Sequence, residues 1–167
     1  MAYTTDLKSV ALKGLRVRVP PSVPFIERQK VKKESWSDLS LLKSIPNPSG
    51  MGYEIKIKNP EITFLGVKNQ PDFANAFITV YPSKKVIELK SLKLYFQQFR
   101  ETVISYERLI NVVYDDLMNV YEPERLRVVM TFNPRGGISS RLTIDSDWSI
   151  RGGTENYKDW VGQSDEW

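Results

Sequence analysis

Cysteine and histidine are both absent from the 167 residues of this chain. Without cysteine the chain can form no disulfide and no thiolate nucleophile, and without histidine it has no imidazole base. The same two absences remove the usual zinc ligands, and the sequence contains no acidic loop of the EF-hand type for an all-oxygen metal site. We therefore predict no metal site and no thiolate or imidazole catalysis.

The chain also has no long apolar run. Its longest apolar runs are far shorter than the roughly 20 residues that cross a bilayer. The first residues, 1–13, have no continuous apolar stretch and no small-residue cleavage site, which argues against a secretory signal. Hydrophobic residues make up 41% of the chain and charged residues 26%, which is usual for globular domains. These features predict one globular domain in the cytoplasm, with no membrane partner.

Charge is distributed unevenly along the chain. Residues 1–33 contain eight Lys/Arg and two Asp/Glu, whereas residues 142–167 contain two and six. A nucleic-acid footprint is one interpretation of the basic end. A solvated surface is favoured over it, because Pro20, Pro21 and Pro24 interrupt the basic stretch and no aromatic platform accompanies it. We predict a basic, irregular N-terminal arm (1–50), a folded core (51–141) and an acidic tail containing tryptophan (142–167).

The spacing of apolar residues predicts several strands and helices within these limits. Alternation indicates a strand at 53–57, which Asn59-Pro60 should end, and a hairpin of strands at 76–81 and 86–89. Helices are predicted near 36–43, at 92–100 and, from strong three- and four-residue spacing, at 105–121. A last strand is predicted at 126–132, broken by Pro134 and Gly136-Gly137.

This order of elements indicates an α+β fold, in which helices pack on one face of an antiparallel sheet. No Walker or Rossmann glycine loop is present. The predicted sheet has open edges, and pairing with a neighbouring subunit would cover them. A closed ring of subunits, that is, a ring-shaped homo-oligomer, would solve this problem.

Three polar segments are candidates for chemistry: residues 68–73, residues 88–95 and residues 133–137. Lys90, Ser91 and Lys93 form a compact group of donors able to meet a phosphate, and Asp72 and Glu107 are carboxylates near the ends of elements. The alternative for each of them is a solvated surface position, which is the usual place of a lysine.

The segments resemble motifs of one family. Glu88-Leu89-Lys90-Ser91-Leu92-Lys93-Leu94-Tyr95, followed by Phe99-Arg100, resembles the signature of the QueF enzymes, the NADPH-dependent 7-cyano-7-deazaguanine reductases of queuosine biosynthesis. Gln70-Pro71-Asp72-Phe73-Ala74 and Pro134-Arg135-Gly136-Gly137-Ile138 resemble two further motifs in the same order. The resemblance spans residues 59–139.

The resemblance implies the tunnelling fold, a ring of subunits and a purine-like substrate at the subunit interfaces. Glu88, Lys90, Ser91 and Lys93 match the motif associated with the nicotinamide cofactor, which makes NADPH a candidate cofactor. Glu107 matches the glutamate that anchors the base through its N–H groups. Asp72 matches the general-acid aspartate.

The chain departs from the family pattern at two positions. The family has a nucleophilic cysteine shortly before the Gln-Pro-Asp-Phe motif, and here the stretch is Phe64-Leu65-Gly66-Val67-Lys68, with Gly66 or a neighbour at that place. The histidine that precedes the anchoring glutamate is replaced by Tyr106. Lys68, as an amine, and Tyr106, as a proton donor, are the catalytic candidates that remain besides Asp72.

A nitrile is a poor hydride acceptor until a thiolate adds to it, so the chain is not expected to reduce a nitrile through a thioimide. The leading hypothesis is a QueF-like protein that binds a 7-deazaguanine-type base, with NADPH as a candidate cofactor. The alternative is a catalytically silent, ring-forming structural or scaffold protein. A nucleic-acid-binding module that uses the basic arm is a second alternative.

Overall fold

The structure is a computed structural model that describes residues 35–147. Most of the predicted basic arm and most of the predicted acidic tail lie outside these residues. The described part contains six strands and two α-helices. The strands are β1 (Ser44–Pro46), β2 (Ile55–Leu65), β3 (Pro71–Tyr81), β4 (Lys85–Ile87), β5 (Arg125–Arg135) and β6 (Ile138–Asp145), and the helices are α1 (Leu89–Gln97) and α2 (Tyr106–Tyr121).

The main sheet has four antiparallel strands in the order β2-β3-β5-β6. Its alternate residues, among them Phe64, Ile78 and Met130, belong to one buried core together with residues of both helices, such as Leu92 and Leu109. The helices therefore cover one face of the sheet, and the predicted α+β class with an antiparallel sheet is confirmed.

Strand β2 continues through Asn59-Pro60, so the prediction that this pair ends the strand is wrong. The pairing with β3 shifts between Asn59 and Ile62, which is the irregularity of a β-bulge. β2 is an edge strand, where a proline without an N–H is tolerated. The bulge changes which residues face the core, from Ile55 and Ile57 before it to Ile62 and Phe64 after it.

The predicted hairpin between 76–81 and 86–89 is also wrong. β3 pairs with β2 on one side and β5 on the other, so both of its edges are occupied. The short β4 therefore pairs with β1 in a separate two-stranded sheet. The turn at Pro82-Ser83 is real, but it leads the chain out of the main sheet.

The last predicted strand is longer than its sequence pattern suggested, because β5 continues through Pro134 to Arg135. Gly136 and Gly137 have φ angles of 60° and 82° and form a two-residue turn between β5 and β6. The sequence did not predict the strand β6. Both central residues of such a turn need positive φ, which glycine adopts without strain. β6 runs across residue 141, where the sequence placed the limit between core and tail.

Helix α2 matches its prediction, and Ser105 caps it by accepting a hydrogen bond from the Arg108 N–H at 3.2 Å. The helix predicted near 36–43 is only a 3-10 turn at Leu39–Leu41. Lys43 instead pairs with the start of α1, where its N–H donates to Ser91 Oγ, so tertiary bonds override a weak local pattern. In residues 35–147, neither helix is long and apolar enough to cross a membrane.

Candidate functional site

A cleft of about 690 Å³ opens beside the N-terminus of α2. It lies where three parts of the chain meet: the β2–β3 connection, the segment before α2, and the β5–β6 turn. Its polar lining includes Asp72, Ser105, Tyr106, Glu107, Arg108, Arg135 and Ser140. A size of several hundred Å³ with a few convergent polar groups is typical of a small-molecule site.

Backbone hydrogen bonds hold the parts of the cleft together. The Leu65 N–H donates to the Thr102 carbonyl, and the Ile104 N–H donates to the Leu65 carbonyl, each at 2.9 Å. These bonds join the end of β2 to the segment that begins α2. The Gly66 N–H donates to the Gln70 carbonyl at 2.8 Å and closes the turn into β3, so Asp72 follows at a fixed position.

Arg135 and Asp72 form an ion pair at the base of the cleft. Arg135 Nη1 lies 3.0 Å from Asp72 Oδ2, and Arg135 Nη2 donates to Gln70 Oε1 at 2.5 Å. The Asp72 side chain is only 9% exposed, whereas that of Arg135 is 38% exposed. The guanidinium therefore neutralises a nearly buried carboxylate and still faces the cleft. Sequence reasoning quoted Arg135 in a motif without assigning it to the site.

Gly66 contacts this ion pair directly. A Cβ atom at Gly66 would lie 2.2 Å from Asp72 Oδ2 and 2.6 Å from Arg135 Nη1. Its backbone angles, φ −84° and ψ −168°, are open to any residue, so space alone limits the position. The ion pair occupies the volume that a side chain there would need.

Tyr106 stands next to the same pair. Its ring stacks on Phe132 at 4.2 Å between centroids and meets the edge of Phe64 at 5.7 Å. Burial raises the pKa of the Tyr106 hydroxyl and the Asp72 carboxylate raises it further, while Arg135 acts in the opposite direction. The net rise keeps the hydroxyl protonated at neutral pH, so Tyr106 is a hydrogen-bond donor beside Asp72.

Glu107 is exposed in the first turn of α2, where a carboxylate is favourable to the helix dipole. Ser140 Oγ, on β6, is buried, and within residues 35–147 it has no hydrogen-bond partner. Ser140 pairs with Phe132, the residue on which Tyr106 stacks. Its place in the cleft comes from the pairing of β6, a strand that the sequence did not indicate.

Three of the candidate residues, Asp72, Tyr106 and Glu107, thus line the same cleft. Lys68, the fourth candidate, is exposed in the turn at Val67–Asn69 and does not line the cleft. A second depression of about 460 Å³, lined by residues 35–40 and Gln98, contains none of the predicted site residues.

The cofactor motif lies at the start of α1 and contributes nothing to the lining of the cleft. Glu88 caps the helix by accepting hydrogen bonds from the N–H groups of Lys90 at 2.9 Å and Ser91 at 2.6 Å. Ser91 is 2% exposed, and its hydroxyl accepts from the Lys43 N–H at 3.0 Å and donates to the Glu88 carbonyl at 2.7 Å. Lys90 and Lys93 are exposed. The polar groups of Glu88 and Ser91 are therefore engaged within the chain.

Comparison with known proteins identifies relatives along most of the described core. A family described as QueF-like protein matches residues 71–151. The chain is 42% identical over 97 residues to the NADPH-dependent 7-cyano-7-deazaguanine reductase of Gloeobacter violaceus, covering 57% of this chain and 71% of that protein. It is 38% identical over 123 residues to the enzyme of the same name from Aquifex aeolicus, covering 73% of this chain and 89% of that protein.

Among solved structures, the apo crystal structure of an archaeosine synthase described as QueF-Like matches 59% of this chain and 95% of its own. The TM-score is 0.48 at 13% identity, so this likeness adds nothing to the assignment. The sequence relatives carry it on their own: this chain belongs to the QueF-like family.

Proposed function

We propose that the cleft binds a 7-deazaguanine-type base and that the chain does not reduce a nitrile through a thioimide. The observation that carries the proposal is the meeting of Asp72, Tyr106 and Glu107 in one cleft beside Gly66. Family membership supports the choice of base, because the relatives are named for a 7-cyano-7-deazaguanine substrate.

Glu107 anchors the base in this proposal. An exposed carboxylate at the cleft wall can accept two parallel N–H bonds from the ring and exocyclic nitrogens of a guanine-like edge. Tyr106, held by its stack on Phe132, presents a protonated hydroxyl next to the ion pair. Lys68 has no part in the proposal, because it does not line the cleft.

The absence of a thiol is the reason why the proposal excludes nitrile reduction through a thioimide. The chain contains no cysteine, and a thioimide requires a thiolate. Asp72 accepts a hydrogen bond from Arg135, so its carboxylate already has an ion-pair partner within the chain. The cleft therefore binds and orients a base without forming a covalent bond to it.

NADPH fits the cofactor motif only through its phosphate groups. Lys90 and Lys93 are exposed and can meet phosphates, while Glu88 and Ser91 hold the end of the helix. NADPH supplies a hydride when it is bound. Lys90 and Lys93 supply positive charge for its binding and take no part in hydride transfer.

We also propose that the chain forms the tunnelling-fold ring of its family. Val67, Val103 and Ile138 are 73%, 47% and 76% exposed and line the open side of the cleft. Apolar side chains around a cleft are suited to contact with a second copy. Light scattering on the purified chain should give a mass several times that of one chain, and a monomeric mass would contradict this part.

The test of base binding is calorimetric titration with 7-cyano-7-deazaguanine. Glu107→Gln should weaken binding by about a hundredfold, the size of one or two hydrogen bonds to a charged group, with little change in Tm. Glu124→Gln removes an exposed carboxylate elsewhere and should leave binding unchanged. Equal binding by all three proteins, or no binding by the unmodified chain, would reject the proposal. An assembled chain that binds no base would favour the scaffold alternative.

A further inference from the structure

Three side chains in the lining of the cleft can donate hydrogen bonds: Arg135, Ser140 and Tyr106. Arg135 has five N–H groups, of which two donate to Asp72 and Gln70. Ser140 Oγ is buried and, in the part of the chain that the structure describes, unpartnered. Tyr106 adds a hydroxyl next to Asp72. A ligand group that fits here must offer acceptors.

The lack of a side chain at Gly66 leaves room in the cleft lining for the Arg135 guanidinium. No side chain fits at Gly66 while Asp72 and Arg135 stand as they do, because its Cβ would come within 2.6 Å of both. The cleft at this point is therefore built around a fixed cation. The residues that hold the cation are a carboxylate and an amide, so its orientation is defined on two sides.

The charges that line the cleft are balanced before any ligand arrives. Arg108 and Arg135 are positive, and Asp72 and Glu107 are negative. Arg108 stacks over the Trp36 ring at 5.4 Å, at the rim. Asp72 already neutralises Arg135, so an anionic group beside Arg135 binds through the guanidinium N–H groups that Asp72 and Gln70 leave free.

On the basis of the proposed base-binding function, we propose that the cleft selects a 7-deazaguanine-type base whose 7-substituent is a carboxylate, bound by Arg135. A carboxylate matches the planar fork of a guanidinium and accepts charge-assisted hydrogen bonds from it. A nitrile offers a single weak acceptor in its place. The binding is non-covalent, and no bond of the ligand forms or breaks.

The test compares three ligands on the full chain: 7-carboxy-7-deazaguanine, 7-cyano-7-deazaguanine and 7-deazaguanine. The carboxylate should bind about tenfold or more tightly than the nitrile, as expected for one charge-assisted hydrogen bond. Its advantage should fall as salt increases, because part of it is the attraction of opposite charges. Nitrile binding equal to or tighter than carboxylate binding would overturn the proposal and leave the proposed base binding intact.

Arg135→Met provides the second measurement. It should remove the advantage of the carboxylate over the nitrile, whereas Lys84→Met, which removes an exposed charge away from the cleft, should leave that advantage unchanged. Equal losses for all ligands would assign Arg135 a structural role and overturn the proposal. If no deazaguanine binds the unmodified chain, base binding itself is rejected. The ligand comparison on the unmodified chain stands even if the variant folds poorly.

Discussion

The start of α2 and the start of α1 both carry polar motifs of the family, yet the two regions use them differently. At α2, the side chains of Tyr106 and Glu107 face a cleft, and Ser105 alone caps the helix. At α1, Glu88 and Ser91 form their hydrogen bonds with the helix end and with Lys43. A motif residue whose bonds are satisfied inside the chain supports the fold, and one that faces a cavity is available to a ligand.

The largest expected effect comes from adding a side chain at Gly66. Gly66→Ala should lower the free energy of unfolding by about 1–3 kcal/mol, because the new methyl group overlaps Asp72 and Arg135. Chemical denaturation measures the change. Gly50→Ala is the matched control, because nothing lies within 4 Å of a Cβ there, and it should not destabilise the chain.

Arg135→Ala should recover part of the loss in the double variant, because it removes one of the two overlapping groups. Additive effects of the two substitutions would contradict the contact between Gly66 and the ion pair. Gly66→Cys meets the same obstacle, so it should not restore nitrile reduction by itself.

Ser91→Ala should have an effect of similar size, and only on stability. The substitution leaves the Lys43 N–H without its acceptor, which costs about 1–3 kcal/mol at a buried position. Thermal unfolding measures the loss, and Ser44→Ala, at an exposed serine nearby, is its control. Affinity for the base should not change. A loss of affinity with unchanged stability would mean that Ser91 faces a ligand and that the two regions are alike.

The smallest expected effect concerns pH and Glu88. Backbone N–H groups, that of Ser91 foremost, hold the pKa of Glu88 below its ordinary value of 4.5. Its contribution to stability is therefore present above that value and is lost as the pH falls through the lower pKa of the folded state. Unfolding midpoints measured between neutral and acidic pH should fall less steeply for Glu88→Gln than for the unmodified chain. An identical slope would show that the cap makes no such contribution.

The sequence predicted the elements that depend on the spacing of neighbouring residues. The spacing of Leu109, Ile110, Val113 and Leu117 identifies α2, because a helix face repeats every three to four residues. The pairing of β4 with β1 could not be predicted, because it depends on which edges of β3 are already occupied. The second half of β2 was not predicted either, because the bulge breaks the alternation of apolar and polar residues that marks a strand.

The candidate site divides in the same way. Asp72 and Glu107 were found because the motifs around them resemble those of a family. The contact of Arg135 with Gly66 joins residues far apart in the chain and depends on the β5–β6 turn, so no local pattern indicates it. Ser91 was a cofactor candidate because it matches a family motif, and residue type alone did not reveal that its hydroxyl is hydrogen-bonded within the chain.

One titration tests the central claim most directly: 7-cyano-7-deazaguanine is added to the unmodified chain in the presence of NADPH, while binding heat and nicotinamide absorbance are recorded together. Binding without NADPH oxidation is the predicted result, because we propose that the cleft binds the base and the chain has no thiol to activate the nitrile. Oxidation of NADPH in proportion to the added nitrile would contradict it and would require a route to reduction that uses no cysteine.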